Sequence, residues 1–243
     1  MGSFWRNFTA SRTGERKQGL GRWFQILEDR FMTLFWGNLL CMAFALPFLI
    51  GLFFFTQTGD YLSLLGMVLG LVVMGPGITA LDYLTMKVIR DKHVYVWEDF
   101  LKSLRRDWKQ SVLYALLMGT LWGAFAYALR LILVIQGGLG PMYTAVFALN
   151  AFLVMGLTVI GFQQIAMVRL PFYGVVKNAF LLIFAGKGRA FGAILFALGA
   201  VCACLWFYEY FVFILLLGAP VLILMTANLI LLPVFEEFFP EEE

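Results

Sequence analysis

The chain reads as an all-α polytopic membrane helix bundle of about six transmembrane helices. Amphipathic interfacial helices are expected between spans two and three and between spans four and five. Three observations predict this class. First, of 243 residues 62% are hydrophobic and only 14% charged, far outside soluble globular composition. Second, nearly all charge falls in three stretches and an acidic tail. The uncharged runs between them match the roughly 20 apolar residues that one span requires. Third, Lys and Arg alternate from one side of those runs to the other. Residues 1–30 hold six, the loop after span two holds seven and the loop after span four holds four, while the opposite connections hold none beyond Arg130 inside span three. The positive-inside rule then places both termini in the cytoplasm of a multi-pass protein of the plasma membrane.

Residues 1–30 form a basic cytoplasmic arm, with Trp23, Phe24, Ile26 and Leu27 marking a partly buried lead-in helix. Residues 31–234 form the six-helix membrane domain and 235–243 an acidic cytoplasmic tail. The apolar run after the arm lacks the short core and small-residue exit of a cleavable signal, so it is expected to be a retained first span.

Span one covers about 31–55, with Asn38 near its start and Pro47 mid-helix. Span two covers about 61–85, with Gly66 and Gly70 at the spacing that lets a second helix approach closely. A Gly75-Pro76-Gly77 element near its inner end predicts a helix break. Across the loop that follows, Trp97, Phe100, Leu101, Leu104 and Trp108 recur at helical spacing, with Lys102, Arg105, Arg106 and Lys109 on the other side. That pattern predicts a helix lying on the inner leaflet, its tryptophans at headgroup depth and its cations on anionic lipid. Its apolar stripe needs lipid or protein to cover it, which argues against nucleic acid as the partner of these cations.

Span three covers about 111–135, with Gly119 and Gly123 at the same close-packing interval. Span four, about 142–168, carries Asn150, Gln163 and Gln164. A short helix over about 172–185 follows, then a Gly186-to-Arg189 break and span five to about 208. Span six runs from about 211 to 234, bent at Pro220. Spans two and four, each followed by a basic turn and a short helix, read as a same-orientation repeat.

Catalytic chemistry finds little support. His93 is the single histidine, so no His-based triad or multi-His metal cluster can form. The three cysteines lie in apolar runs and read as packing residues. The Gly-Pro-Gly element lacks the following Lys-Ser/Thr of a phosphate loop. No enzyme, cofactor or metal is expected.

Two polar features remain. Arg130, within a span, needs a partner; Glu209 at similar depth is the candidate, the alternative being an arginine that snorkels to the outer interface. Asn38, Thr79, Asp82, Gln163, Gln164 and Asn228 form a belt in the cytoplasmic third, with Gly75, Thr79 and Asp82 sharing one face of span two. The belt reads either as an inward-open pocket for a polar ligand or as hydrogen bonding between helices.

Several of these residues also carry a likeness. Asn38-Leu39-Leu40, Leu46-Pro47 and the run from Gly75 to Leu81 come first. Arg90-Asp91-Lys92, Trp97-Glu98-Asp99-Phe100, Trp108-Lys109-Gln110 and the run from Lys177 to Leu182 follow in order. Together they resemble the YesL-like family of bacterial membrane proteins of unknown function, over about 31–205. Asp82 departs from that pattern, which has an uncharged, often aromatic residue there, and 161–164 lacks the expected proline. The resemblance implies a cytoplasmic-membrane location and a common genomic association with carbohydrate uptake and breakdown, but no reaction and no catalytic residue.

Three functions follow as alternatives: an accessory or regulatory subunit beside a transporter or signalling protein, a small transporter or channel, and a membrane-embedded enzyme, the last lacking paired acid–base groups. A topology reporter active only outside the cytoplasm should be silent when fused after Gln110 or Glu243 and active after Gln136. Activity at Glu243 would mean a miscounted span.

Overall fold

The expected lead-in helix and first span are one element. In the computed structural model, which describes residues 19–136, 140–207, 210 and 218–239, α1 runs over Leu20–Thr58 with a single non-helical residue, Arg30 (φ −123°, ψ 16°). The bend therefore falls where the basic arm meets the apolar run. At the far end Gly59 (φ 64°) closes α1 in the left-handed conformation that glycine adopts without strain. Asp60 then caps α2 (Tyr61–Ile89), its carboxylate accepting from the Ser63 N–H at 2.9 Å. These hydrogen bonds to Ser63 hold the Asp60 carboxyl below the usual carboxylate range.

Helix α2 passes through Gly75-Pro76-Gly77 as one uninterrupted element, so the expected helix break is absent. The two glycines serve close approach of neighbouring helices. A Cβ on Gly75 would collide with Ala115, and one on Gly77 would sit 2.8 Å from Phe44 Cβ. Removing both side chains lets α1 and α3 close on either flank of α2.

The expected separate interfacial helix is likewise absent as an element. Residues 96–109 are the first turns of α3 (Val96–Gln136), a continuous helix of 41 residues. No glycine or proline stands between Trp97 and Met118 to stop it. The corresponding junction in the second half does break. After α4 (Pro141–Met167), α5 (Phe172–Ala185) ends at Gly186, where Lys187 takes φ 51° and starts α6 (Lys187–Trp206). The repeat seen in the sequence is thus unequal: a fused short helix in one half, a hinged one in the other.

Helix α7 (Ala219–Phe238) corrects two further expectations. Pro220 lies in its first turn, where proline is tolerated, and so is not a mid-span bend. Glu236 and Glu237 belong to the last helical turn, so the acidic tail does not begin as a separate segment at 235. Among the described residues, six helices are long and apolar enough to cross a membrane and α5 is too short.

Helix α2 is the hub. It packs on α1, α3, α4 and α7, and from Gly75 to Ile89 all but Ile78, Tyr83 and Lys87 are buried. One apolar core joins α1, α2 and α7, a second joins α4 to α7, and a third joins α3, α4 and α5. At the basic end, ion pairs Arg22–Asp91 and Lys87–Asp99, both 2.7 Å, tie α1 to the α2 terminus and α2 to the first turn of α3.

Small residues set the spacing between α1, α2 and α3. A Cβ on Gly51 would lie 2.5 Å from the Met67 backbone nitrogen, and one on Gly70 would meet the backbone of Phe48. Gly66, by contrast, faces open space. On the other side of α2, Val68 seats against Gly119 and Gly123, at 3.4 and 2.8 Å from where their Cβ atoms would stand. Gly51→Ala should therefore destabilise the protein in detergent by about 1–3 kcal/mol through overpacking, while Gly66→Ala should leave the melting midpoint unchanged. Equal effects would contradict this packing.

Candidate functional site

All six belt residues are buried, each at most 1% exposed. Their arrangement differs from a single belt. Asn38 Oδ1 accepts from the Val221 N–H at 3.4 Å, so it serves one of the free donors in the first turn of α7. Thr79 pairs with α3: its hydroxyl donates to the Gly75 carbonyl and accepts from Ser111 Oγ at 2.8 Å.

The third group is the centre. Asn228 Nδ2 donates to Asp82 Oδ1 at 2.9 Å and to Thr85 Oγ1 at 2.8 Å. The Thr85 hydroxyl in turn donates to the Asp82 carbonyl at 2.9 Å. Gln163 reaches the same stretch of α2, its Nε2 lying 3.7 Å from Met86 Sδ. Gln164, the next residue on α4, is buried with neither amide atom hydrogen-bonded.

The arrangement leaves a deficit. Asp82 Oδ2, Asn228 Oδ1, Gln163 Oε1 and Gln164 Oε1 and Nε2 are all buried and unpartnered. Among the described residues no Lys, Arg or His forms an ion pair with Asp82. A buried unpaired acceptor costs about 1–3 kcal/mol, and more when charged. An ionisable group within a span marks a functional site by default. Every member is sealed from the surface, so no inward-open pocket stands at these residues in this structure; Asn38, Thr79, Asp82, Gln163 and Asn228 instead make contacts between helices.

Thr85, Ser111 and Met86 were not singled out from the sequence. Thr85 stands three residues from Asp82 and shares its face, which was the available signal. Ser111 lies at the expected start of span three, and Met86 reads as ordinary core.

The remaining candidates divide. Trp97, Lys102, Arg105, Trp108 and Lys109 are exposed, but the stripe is not one surface. Phe100 is buried with its ring 6.0 Å from Phe44. Arg106 is exposed too but also holds the bundle: it pairs with Asp107 at 2.6 Å, donates to the Ala166 carbonyl at 2.8 Å and lies 5.0 Å over the Tyr83 ring.

Glu209 lies outside the described residues. The partners of Arg130 are backbone carbonyls: its Nη1 donates to Phe55 at 3.0 Å and its Nη2 to Thr58 at 3.1 Å. The guanidinium thus caps the C-terminus of α1, where cations are favoured.

A helix bundle with six membrane-length apolar helices and a polar centre defines an integral membrane protein of the multi-pass class. Residues 34–129, spanning most of α1, all of α2 and most of α3, match the model of the DUF624 family, described as proteins of unknown function. No curated protein and no solved structure matches the chain significantly.

The Asp82–Asn228 contact makes a direct prediction. Asn228→Leu strands Asp82 Oδ1 and should lower stability in detergent by about 1–3 kcal/mol, whereas adding Asp82→Leu should recover part of the loss. Strictly additive losses would mean that the two side chains are not coupled.

Proposed function

We propose that the protein is an accessory or regulatory membrane subunit associated with carbohydrate uptake. The observation that carries this reading is the uncovered half of α4. Burial in the bundle begins at Ala151. Before it, Met142, Val146 and Leu149 are 78, 56 and 61% exposed. Asn150 is exposed as well, about 14 Å along the helix at 1.5 Å per residue. A carboxamide at that depth gains from a hydrogen-bonding neighbour more than from lipid. A second protein's membrane helix supplies both the apolar cover and the bond.

The sealed centre fits a subunit that does not itself conduct, since the polar cluster has no opening to either side. The YesL-like resemblance supplies the carbohydrate association. The exposed Trp97, Lys102, Arg105, Trp108 and Lys109 fit anionic inner-leaflet lipid beside such a partner.

Mild-detergent capture of the whole chain from its own membranes should recover a membrane subunit of a sugar importer, and Asn150→Leu should reduce that recovery severalfold. In the same preparation, neutralising Lys102, Arg105 and Lys109 should lower co-purifying anionic lipid, each cation near the surface being worth about 1 kcal/mol. Recovery of the chain alone would overturn the reading.

A small transporter for a polar solute is the second reading, favoured by the unpaired Asp82 carboxylate. Sugar uptake into proteoliposomes by the isolated protein would select it.

A further inference from the structure

The polar centre has an imbalance of a particular kind. Its unpartnered atoms are four acceptor oxygens, on Asp82, Asn228, Gln163 and Gln164, against one donor group, Gln164 Nε2. The amide hydrogens of Asn228 and Gln163 are directed elsewhere. Asn228 Nδ2 spends both on Asp82 Oδ1 and Thr85 Oγ1. Gln163 Nε2 is directed to the Met86 sulfur, a weak acceptor. Rotating the Asn228 amide would not help, because its oxygen would then face the carboxylate.

Asn228 and Gln163 each bring an unpartnered side-chain oxygen to the Asp82–Met86 stretch of α2. Asn228 is bonded directly to Asp82, so its free Oδ1 belongs to the same contact. Met86, to which Gln163 is anchored, is four residues from Asp82 and therefore on the same face of α2. Helices α2, α4 and α7 pack against one another around this point. What completes the cluster must bring positive charge or hydrogen-bond donors into a volume closed to bulk water.

We propose that Asp82, with the side-chain oxygens of Asn228 and Gln163, binds a monovalent alkali cation, Na⁺ or K⁺, between α2, α4 and α7. The donor set decides the class. Hard cations take carboxylate and amide oxygens, and one carboxylate balances one unit of charge. No group of three or more His, Cys, Asp or Glu that could hold a metal ion exists among the described residues, which disfavours a divalent or thiophilic metal here. A bound cation neutralises Asp82 and gives the orphaned amide oxygens a common partner. It joins three helices in a way that apolar packing does not. The site is independent of whether the protein works beside an importer.

The test uses the whole chain in detergent at fixed pH and ionic strength, with N-methyl-D-glucamine replacing Na⁺ or K⁺. The melting midpoint should rise with the concentration of one of the two alkali cations and saturate. Equilibrium binding of ²²Na⁺ or ⁸⁶Rb⁺ should show one displaceable site per chain. Asp82→Asn should abolish both effects. Should that variant fail to fold, Gln163→Leu keeps the carboxylate, removes one oxygen and should weaken cation affinity at least tenfold. Wild-type stability indifferent to Na⁺ and K⁺, with no saturable isotope binding, would overturn the proposal and leave Asp82 a protonated carboxyl. Unchanged affinity in Gln163→Leu would overturn the assignment of that ligand set.

Discussion

The hydrogen bond between Asp82 and Asn228 is the constraint around which the bundle is arranged. Placing a carboxylate at the centre of a membrane helix costs about 2.5–3.5 kcal/mol on insertion scales, and Asp82 stands on a helix that packs on four others. Helix α7 must therefore lie where Asn228 can serve both Asp82 and Thr85. That requirement draws the last helix of the chain back against the second. It also brings α4 close enough for Gln163 to reach α2. A purely apolar centre would allow these three helices to slide past one another with little penalty. A polar one permits a single register.

Helix α3 supplies the second constraint, because two of its arginines, Arg106 and Arg130, cap neighbouring helices at opposite ends. Arg106 takes the Ala166 carbonyl at the end of α4, and Gln110 takes that of Leu170 at 2.7 Å. Arg130 takes the last carbonyls of α1. Carbonyls at a helix C-terminus have no partner within their own helix, and lipid offers none. A guanidinium carries donors enough to serve two carbonyls at once, which a lysine does less well. Two aromatic donors extend the same attachment between the two caps. Tyr114 donates to the Leu157 carbonyl at 2.7 Å and Trp122 to Thr158 at 3.0 Å. Helix α3 is consequently held to α4 along much of its length.

These two constraints give the molecule a tight half and a loose one. Where α1, α2 and α3 meet, glycine brings backbones into contact and leaves no space for a polar path. Where α4 enters from the side opposite the basic loops, its first turns stand apart from the bundle, with Asn150 exposed. The proposed partner surface belongs to the loose half and the proposed cation site to the junction between the two. A bundle built this way joins a closely packed centre to one surface on α4 that its own helices leave uncovered.

The number of spans, their apolar faces and the alternation of basic loops were legible in the sequence, because each depends on composition and local spacing. Counting residues along a helix measures distance along its axis. What counting does not measure is which helix stands beside which. That relation follows from close approach at Gly51, Gly70, Gly75 and Gly77, and glycine spacing alone did not separate them from Gly66, where a Cβ would meet open space. Hence the belt divided into three groups by neighbour, and Asn38 became a cap for α7. Arg106 reached the end of α4 from an exposed position, and Arg130 reached the carbonyls that close α1. Residues 96–109 looked amphipathic and did form a helix. Only the packed structure decided that it continues unbroken into α3, because a helix with no glycine or proline to stop it extends as long as both of its ends find partners.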